Sequence, residues 1–166
     1  LCEEYSAATA EIASCNIPSS GTYSILAADY FGYNTGDYYL YLQRLNNPGN
    51  PVPIAFGQTL AGSINTPAEM DTYTFTALAG DYVLIRMSKS SGDIWSEIRV
   101  YDPGGSLLCE EYSAATAVIT SCYLPSTGTY SILAADYFGW GTGNYSICLD
   151  CGIVYLPFIL NYVSDD

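Results

Sequence analysis

Six cysteines are the residues of this chain whose spacing points most clearly to chemistry. Cys109 and Cys122 flank a turn of small residues centred on Ala115, so we expect them to face each other on neighbouring strands and to form a disulfide. The same arrangement recurs near the start of the chain, and a Cys-x-x-Cys follows the last predicted strand. A redox role for that Cys-x-x-Cys is the alternative, and zinc would need two more ligands. The predicted pairs are Cys2–Cys15, Cys109–Cys122 and Cys148–Cys151.

The residues needed for catalysis do not accompany these cysteines. The chain has no histidine, which excludes Ser-His-Asp and Cys-His nucleophilic centres. Adjacent glutamates on a strand point to opposite faces, so a Glu-Glu pair cannot converge on one substrate. We therefore expect no enzyme and no required cofactor, and we interpret the acids as surface residues, with calcium binding as the alternative. The acids considered are Glu3, Glu4, Asp29, Glu69, Asp71, Glu110, Glu111 and Asp136.

Two aromatic-rich stretches could bind a ligand: DYFGYNTGDYYLYL at 29–42 and DYFGWGTGNYSICL at 136–149. Flat rings stack on pyranose faces, which would make these loops a sugar-binding platform. The alternative, which we favour, is that alternate rings fill a core while the others pack against neighbouring subunits. Asn144 begins an Asn-x-Ser glycosylation sequon at the start of a predicted strand, where chance occurrence and use are equally compatible with the sequence.

The charge of the chain restricts its partners. Four Lys and Arg stand against 17 Asp and Glu, for a net charge of −13. Binding to DNA, RNA or an anionic membrane surface needs basic side chains, so we expect none of these partners. An apolar run of 18 or more residues is absent, which argues against a membrane-spanning helix. Six cysteines in a tyrosine-rich β chain indicate an oxidising, extracellular or cell-surface location.

Alternating apolar and polar residues predict strands throughout residues 55–150. DTYTFTA, for example, places Tyr73, Phe75 and Ala77 on one face and three threonines on the other. SLLCEEYS and AVITSCYL surround a small-residue turn and predict a hairpin. The pattern indicates an all-β, antiparallel, jelly-roll-like sandwich. The predicted strands are TLAGSI, DTYTFTA, DYVLIRMSK, SEIRVYD, SLLCEEYS, AVITSCYL, GTYSILAADY and GNYSICLD.

The chain also contains a long internal repeat. Leu1–Leu42 aligns without gaps to Leu108–Leu149, and the ten residues LCEEYSAATA are the same in both. The first copy corresponds only to the last four predicted strands. We therefore predict four regions: the C-terminal half of a sandwich at 1–45, which needs completion by another segment or chain; a Pro/Asn/Gly linker without ladder hydrogen bonds at 46–54; a complete sandwich at 55–150; and an apolar tail at 151–166.

The predicted complete domain carries recognisable runs: FGQTLAGSINTPAEMDTYTFTALAGDYVLIRM, IRVYDPGGSLL, LPSTGTYSILAADY and TGNYSICL. Its marks are Asp71, Tyr73 and Phe75 at a strand opening, and Gly128, Thr129 and Tyr130 near the end. In these residues the chain resembles the bacterial pre-peptidase C-terminal domain, completely over Phe56–Leu149 and as a half over Leu1–Leu42. The resemblance implies a secreted β-sandwich of the kind appended to hydrolases or arranged in tandem on surface proteins. Some members bind calcium or extracellular polymers, but the shared positions are structural and transfer no site residue.

The tail IVYLPFILNYV is nearly all apolar and is interrupted by Pro157. We expect its alternate residues to be buried against another subunit, which would make it a donor strand; the alternative is an edge strand that folds back along its own domain. With the open half-sandwich, this predicts a homopolymer: an extracellular filament or surface layer joined head to tail. The alternative is a fragment of a secreted tandem-domain protein that binds polysaccharide or a matrix protein. The tail residues concerned are Val154, Leu156, Phe158, Leu160 and Tyr162.

Overall fold

The computed structural model describes residues 1–152, and its regular structure consists of strands. Over that range there is no helix of the length and apolarity needed to cross a membrane. Eight of the nine strands correspond to those predicted from the alternating pattern. The strands are β1 (Val52–Pro53), β2 (Thr59–Ile64), β3 (Met70–Ala77), β4 (Tyr82–Gly92), β5 (Ser96–Tyr101), β6 (Leu107–Ser113), β7 (Thr116–Tyr123), β8 (Gly128–Asp136) and β9 (Gly143–Leu149).

The strands form two sheets, which we call the sandwich (residues 52–149). One sheet has five strands in the order β1-β3-β8-β5-β6, and the other has four in the order β2-β9-β4-β7. All pairs are antiparallel except β1 with β3. The all-β, mainly antiparallel architecture predicted from the sequence is therefore confirmed.

The core lies between the two sheets and follows the predicted alternation. Tyr73, Phe75 and Ala77 of β3 are buried, and Ile98 and Val100 of β5 face the same core. Neighbouring strands supply further apolar side chains at every second position. These additional core residues include Val83, Ile85, Met87, Ile119, Ile132, Ile147 and Leu149.

The hairpin predicted for β6 and β7 is wrong. The two strands follow each other closely, but β6 pairs with β5 at the edge of the five-stranded sheet, and β7 pairs with β4 at the edge of the other. The turn between them crosses from one sheet to the other. The carbonyl of Ala115 accepts the Lys89 amide of β4 at 2.8 Å and the Ser96 hydroxyl of β5 at 3.1 Å. These donors, one from each sheet, explain why the chain changes sheets here instead of turning back.

The six cysteines form the three pairs expected from their spacing: Cys2–Cys15, Cys109–Cys122 and Cys148–Cys151. Because β6 and β7 lie in different sheets, the Cys109–Cys122 disulfide joins the two sheets at one side of the sandwich and does not staple a hairpin. Its Cα atoms are 6.0 Å apart, and Cys122 is fully buried. The disulfide thus covalently closes the edge where β6 and β7 end their sheets.

The linker predicted at 46–54 was expected to make no ladder hydrogen bonds, and this is wrong at its end. Val52 and Pro53 form β1 beside β3, and the amide of Ile54 donates to the carbonyl of Thr74 at 2.9 Å. Proline is compatible with a strand at a sheet edge, where one side of its backbone needs no partner. The sandwich therefore begins three residues before the predicted boundary.

The opening segment (residues 1–42) contains no assigned strand, although its sequence repeats β6–β9. It nevertheless keeps the local contacts of its second copy. The Tyr23 hydroxyl donates to the Ser19 carbonyl, as the Tyr130 hydroxyl donates to the Ser126 carbonyl. The Cα separation is 6.0 Å in both the Cys2–Cys15 and the Cys109–Cys122 disulfide. The segment thus has the turns of the second half of a sandwich without its ladders.

Candidate functional site

Five aromatic side chains gather at one end of the sandwich, and we call them the aromatic cluster: Trp95, Tyr112, Tyr137, Phe138 and Trp140. The rings of Tyr112 and Tyr137 stack with centroids 3.8 Å apart and planes 12° apart. Phe138 contacts the edge of Tyr137 at 5.1 Å, stacks on Trp140 at 5.9 Å and meets Trp95 at 5.1 Å. The contacts form one continuous group of rings drawn from three separate parts of the chain.

Asp136, the last residue of β8, holds the loop that carries these rings. Its carboxylate is buried and accepts backbone amides from Trp95 at 2.7 Å, Trp140 at 3.0 Å and Gly141 at 2.8 Å. Gly139 lies at φ +74°, a conformation that favours glycine, and its amide donates to the Asp136 carbonyl at 3.0 Å. One carboxylate therefore joins the loop after β8, which carries Trp140, to the loop before β5, which carries Trp95.

The opening segment builds a second group of rings in the same way, from Tyr5, Tyr30, Phe31 and Tyr33. The contacts Tyr5–Tyr30, Tyr30–Phe31 and Phe31–Tyr33 have centroid distances of 4.7, 5.1 and 5.7 Å. Asp29 accepts the amides of Tyr33 at 3.0 Å and Asn34 at 3.1 Å, as Asp136 does 107 residues later. The amide of Asn34 lowers the pKa of the Asp29 carboxyl. The same sequence thus forms the same ring arrangement twice.

The rings of both groups lie at the surface, which is compatible with a sugar platform and with packing against a neighbouring subunit. Tyr145 does fill the core, as the favoured interpretation expected of alternate rings. Trp140, however, is 55% exposed, and Tyr112, Tyr137 and Phe138 are each more than a third exposed. The sequence pattern does not find Trp95 and Tyr112, because Trp95 comes from the loop before β5 and Tyr112 from β6. The repetition of Tyr5 at Tyr112 was the one available signal.

The Asp-x-Tyr-x-Phe motif of β3 is a buried structural network. The Tyr145 hydroxyl donates to the Asp71 carboxylate and lies 2.9 Å from the Tyr73 hydroxyl. Burial, together with these hydrogen bonds, raises the pKa of Tyr145 well above its ordinary range, so the ring stays neutral and remains a donor. Burial also raises the pKa of Asp71. Phe75 stacks on Tyr130 at 5.5 Å. Packing thus accounts for the motif.

A second buried network lies on the outer face of β5. Arg99 binds Glu97 at 2.7 Å and makes a two-pronged contact with Glu11 of the opening segment. One guanidinium therefore serves two carboxylates. Burial raises the pKa of Glu97 to about 8, and the nearby charges of Glu110 and Asp136 act in the same direction. Glu11 is Val118 in the second copy, so this ion pair belongs to the first copy alone.

The other acids named from the sequence are either engaged or on the surface. Glu69 accepts the amides of Asn65 at 2.6 Å and Thr66 at 2.9 Å and so closes the turn before β3. Glu3, Glu4, Glu110 and Glu111 are exposed. Within residues 1–152, no three acids or cysteines gather in a way that could hold a metal ion. Calcium binding therefore remains a prediction from the sequence alone.

Two further predicted sites are the glycosylation sequon at Asn144 and the apolar tail. Asn144 is exposed, and its side-chain amide donates to the Ser91 hydroxyl at 2.7 Å. Its glycosylation stays a prediction. The five tail residues Val154, Leu156, Phe158, Leu160 and Tyr162 lie outside the described residues, so their burial against another subunit stays a prediction as well.

Comparisons with known proteins agree with this architecture. Residues 69–135, from just before β3 to near the end of β8, match the family model described as the bacterial pre-peptidase C-terminal domain. The solved pre-peptidase C-terminal domain of a collagenase from Bacillus anthracis superposes with a TM-score of 0.52 at 18% identity, covering 63% of this chain and 98% of that domain. The sandwich has the fold of a pre-peptidase C-terminal domain. At this identity the likeness concerns the fold alone.

Two periplasmic inhibitors of g-type lysozyme are more distant structural matches to the sandwich. PliG from Aeromonas hydrophila has 19% identity and a TM-score of 0.44, covering 60% of this chain and 95% of that one. PliG from Salmonella Typhimurium has 18% identity and a TM-score of 0.39, covering 61% and 99%. No curated protein matches the chain by sequence.

Proposed function

We propose that the chain is a non-catalytic accessory part of a secreted protein and binds an extracellular polysaccharide through its aromatic clusters. The observation that carries this proposal is the repetition of one surface device. Asp29 and Asp136 each fix a loop whose exposed rings stack on one another, 107 residues apart in sequence. Packing within the sandwich does not require rings such as Trp140 to remain half exposed.

The chemistry of the cluster favours sugars of low charge. Stacked aromatic faces offer apolar contact to the C–H faces of pyranose rings and to other flat apolar groups. The chain carries a net charge of −13, which repels acidic polymers such as sulfated or uronic-acid glycans. A neutral polysaccharide satisfies both conditions. Two clusters in one chain would also strengthen binding to a repeating polymer by avidity.

The proposed location is outside the cytoplasm. Three disulfides persist only in an oxidising compartment, and one of them joins the two sheets of the sandwich. The filament predicted from the sequence gains no support from the fold or from the comparisons, which fit the accessory part better. We therefore take the alternative interpretation as the proposed function.

Binding to insoluble polymers tests the proposal directly. The full chain is mixed with cellulose, with chitin and with fibrillar collagen, and the bound fraction is measured against protein concentration. We expect binding to a neutral polysaccharide, and we expect Trp140→Ala together with Tyr33→Ala to weaken it by about fivefold or more, since each aromatic contact contributes about 0.5–1.5 kcal/mol.

The matched control removes an aromatic pair outside the clusters. Tyr82 and Tyr123 are exposed and contact each other at 5.2 Å on the four-stranded sheet. Tyr82→Ala should leave the affinity unchanged. Equal losses in both variants would mean non-specific adsorption through any exposed ring. Retention on collagen alone would replace the polysaccharide with a matrix protein, and retention on none of the three polymers would contradict the proposal.

A further inference from the structure

The two halves of the sandwich are interleaved, strand by strand. From β2 onward, every ladder joins a strand of the first half (β2–β5) to a strand of the second half (β6–β9). β8 lies between β3 and β5, and β9 lies between β2 and β4. No ladder joins two strands of the same half among these eight. A second half on its own therefore has no strand partner for any of its four strands.

The opening segment is such a second half, and 31 of its 42 residues are identical to those of β6–β9 and their loops. Positions that are buried in the sandwich are open here. Ile25 is 56% exposed where Ile132 is 0% exposed, and Leu42 is 75% exposed where Leu149 is 0% exposed. Tyr38, the counterpart of buried Tyr145, is exposed too. The apolar face of the segment is thus present and lacks its covering strands.

Apart from the bond that the Tyr41 hydroxyl donates to the Met70 carbonyl, the hydrogen bonds from the opening segment to the sandwich come from residues 9–13 and use the other face of that stretch. The Thr9 hydroxyl donates to the Phe138 carbonyl at 2.8 Å, Glu11 binds Arg99, and the Ala13 carbonyl accepts the Tyr101 hydroxyl at 3.3 Å. These alternate residues correspond to Thr116, Val118 and Thr120, which point away from the core on β7. The neighbouring Ile12, on the core-facing side, stays exposed. Docking on the sandwich therefore leaves the apolar face free.

The missing partner must resemble β2–β5, and residues 1–166 cannot supply it. Each chain contains one first half, at 57–107, and two second halves, at 1–42 and 108–149. However many copies associate, half of the second halves stay without a partner. The apolar run 153–163 is long enough for one strand only, whereas the opening segment lacks four.

We infer that residues 1–42 are an acceptor for a four-strand polypeptide segment of the type of residues 57–107, supplied from outside residues 1–166. That segment would carry the Asp-x-Tyr-x-Phe strand in the place of β3 and would insert strands on both sides of the counterparts of β8 and β9. This inference goes beyond the proposed function and does not depend on sugar binding.

The test uses the full chain with a copy of residues 52–107 fused directly before Leu1, so that the junction reproduces the natural sequence GGSLLCEE. Hydrogen exchange is followed by mass spectrometry in the fused and unfused chains. In the unfused chain, amides of 21–29 and 36–42 should exchange rapidly, since no ladder protects them. In the fused chain, we expect them to slow to within about tenfold of their counterparts at 128–136 and 143–149.

A fused copy that carries Tyr73→Ser and Ile98→Ser is the matched control, and it should leave residues 1–42 unprotected. A cross-link gives a second readout, independent of exchange. Thr76 faces Thr129 across β3 and β8, and the counterpart of Thr129 is Thr22. Thr76→Cys in the added copy should form a disulfide with Thr22→Cys.

Two results would overturn the inference. Rapid exchange at 21–29 and 36–42 in the fused chain, without the cross-link, would show that residues 1–42 do not accept a first half. A cross-link between Thr76→Cys and Thr22→Cys in the unfused chain would show that residues 57–107 serve the opening segment themselves. The partner would then not come from outside.

Discussion

Asp136 offers the sharpest test of how the aromatic cluster is held. Its buried carboxylate accepts three backbone amides from two loops, and its counterpart Asp29 makes two of the same bonds on the exposed opening segment. Replacing each aspartate by alanine compares one local arrangement in two environments. Asp136→Asn adds an isosteric variant that keeps one acceptor oxygen.

The loss of stability expected for Asp136→Ala follows from the burial of the three backbone amides that bind its carboxylate. The amide of Gly141 is buried, and removing its acceptor should cost about 2 kcal/mol; the amides of Trp95 and Trp140 are partly buried and should cost about 1 kcal/mol each. We therefore expect Asp136→Ala to lower the free energy of unfolding by about 4 kcal/mol. Asp136→Asn should cost about half of that, because its amide nitrogen must face at least one N–H donor. Asp29→Ala should leave sandwich stability unchanged.

Urea unfolding followed by tryptophan fluorescence measures these differences where they arise, since the only two tryptophans of the chain are Trp95 and Trp140. The native emission of Asp136→Ala should also shift to the red as both indoles gain water. A loss below about 1 kcal/mol in Asp136→Ala, or an equal loss in Asp29→Ala, would refute the assignment of this carboxylate as the organiser of the cluster.

Four further predictions concern the sandwich and the cysteines. Replacing the Cys109–Cys122 pair by alanines should lower its stability by about 3 kcal/mol in chemical denaturation, whereas the same change in the Cys2–Cys15 pair should have no effect on it. Alkylation mass spectrometry of the native protein should find no free thiol. Because the folded state raises the pKa of Glu97 from 4.5 to about 8, wild-type stability should fall as pH rises through that range, and Glu97→Gln should flatten the fall. Gly62→Ala should cost about 2–3 kcal/mol in urea unfolding, since its Cβ would overlap the buried ring of Tyr145.

The strands of the sandwich could be predicted from the sequence because their information is local. Alternation in β3 and β4 follows because one face of each strand meets the core and the other faces outward. Turn residues such as the DPGG at 102–105 then mark where a strand stops, and Asp102 caps that turn by accepting the amides of Gly104 and Ser106. β1 could not be predicted, because two residues are too few to show an alternating pattern. The strand is defined by its pairing with β3.

The composition of the aromatic cluster depends on long-range pairing and could not be derived in the same way. Trp95 reaches the cluster because β5 pairs with β8, which places the start of one strand beside the end of the other. Tyr112 reaches it because β6 lies on the far side of β5. A sequence pattern gives the face on which a side chain lies, but it does not give the neighbouring strand. The same limit made β6 and β7 look like a hairpin.

The interleaving of the halves explains why the repeated sequence behaves differently at its two positions. The turns, the hydrogen bond from the tyrosine hydroxyl to the serine carbonyl and the disulfide form in both copies because their partners lie within a short stretch of the chain. Of the two copies, only the second, at 107–149, forms ladders. Each of its strands pairs with a strand of β2–β5, to which it is connected in the chain. Local chemistry therefore fixes the shape of the rings and loops, while strand pairing fixes whether the apolar face is covered. In this chain the aromatic clusters depend on local chemistry, whereas the completion of the opening segment depends on strand pairing. The proposed sugar binding and the proposed completion can therefore fail separately.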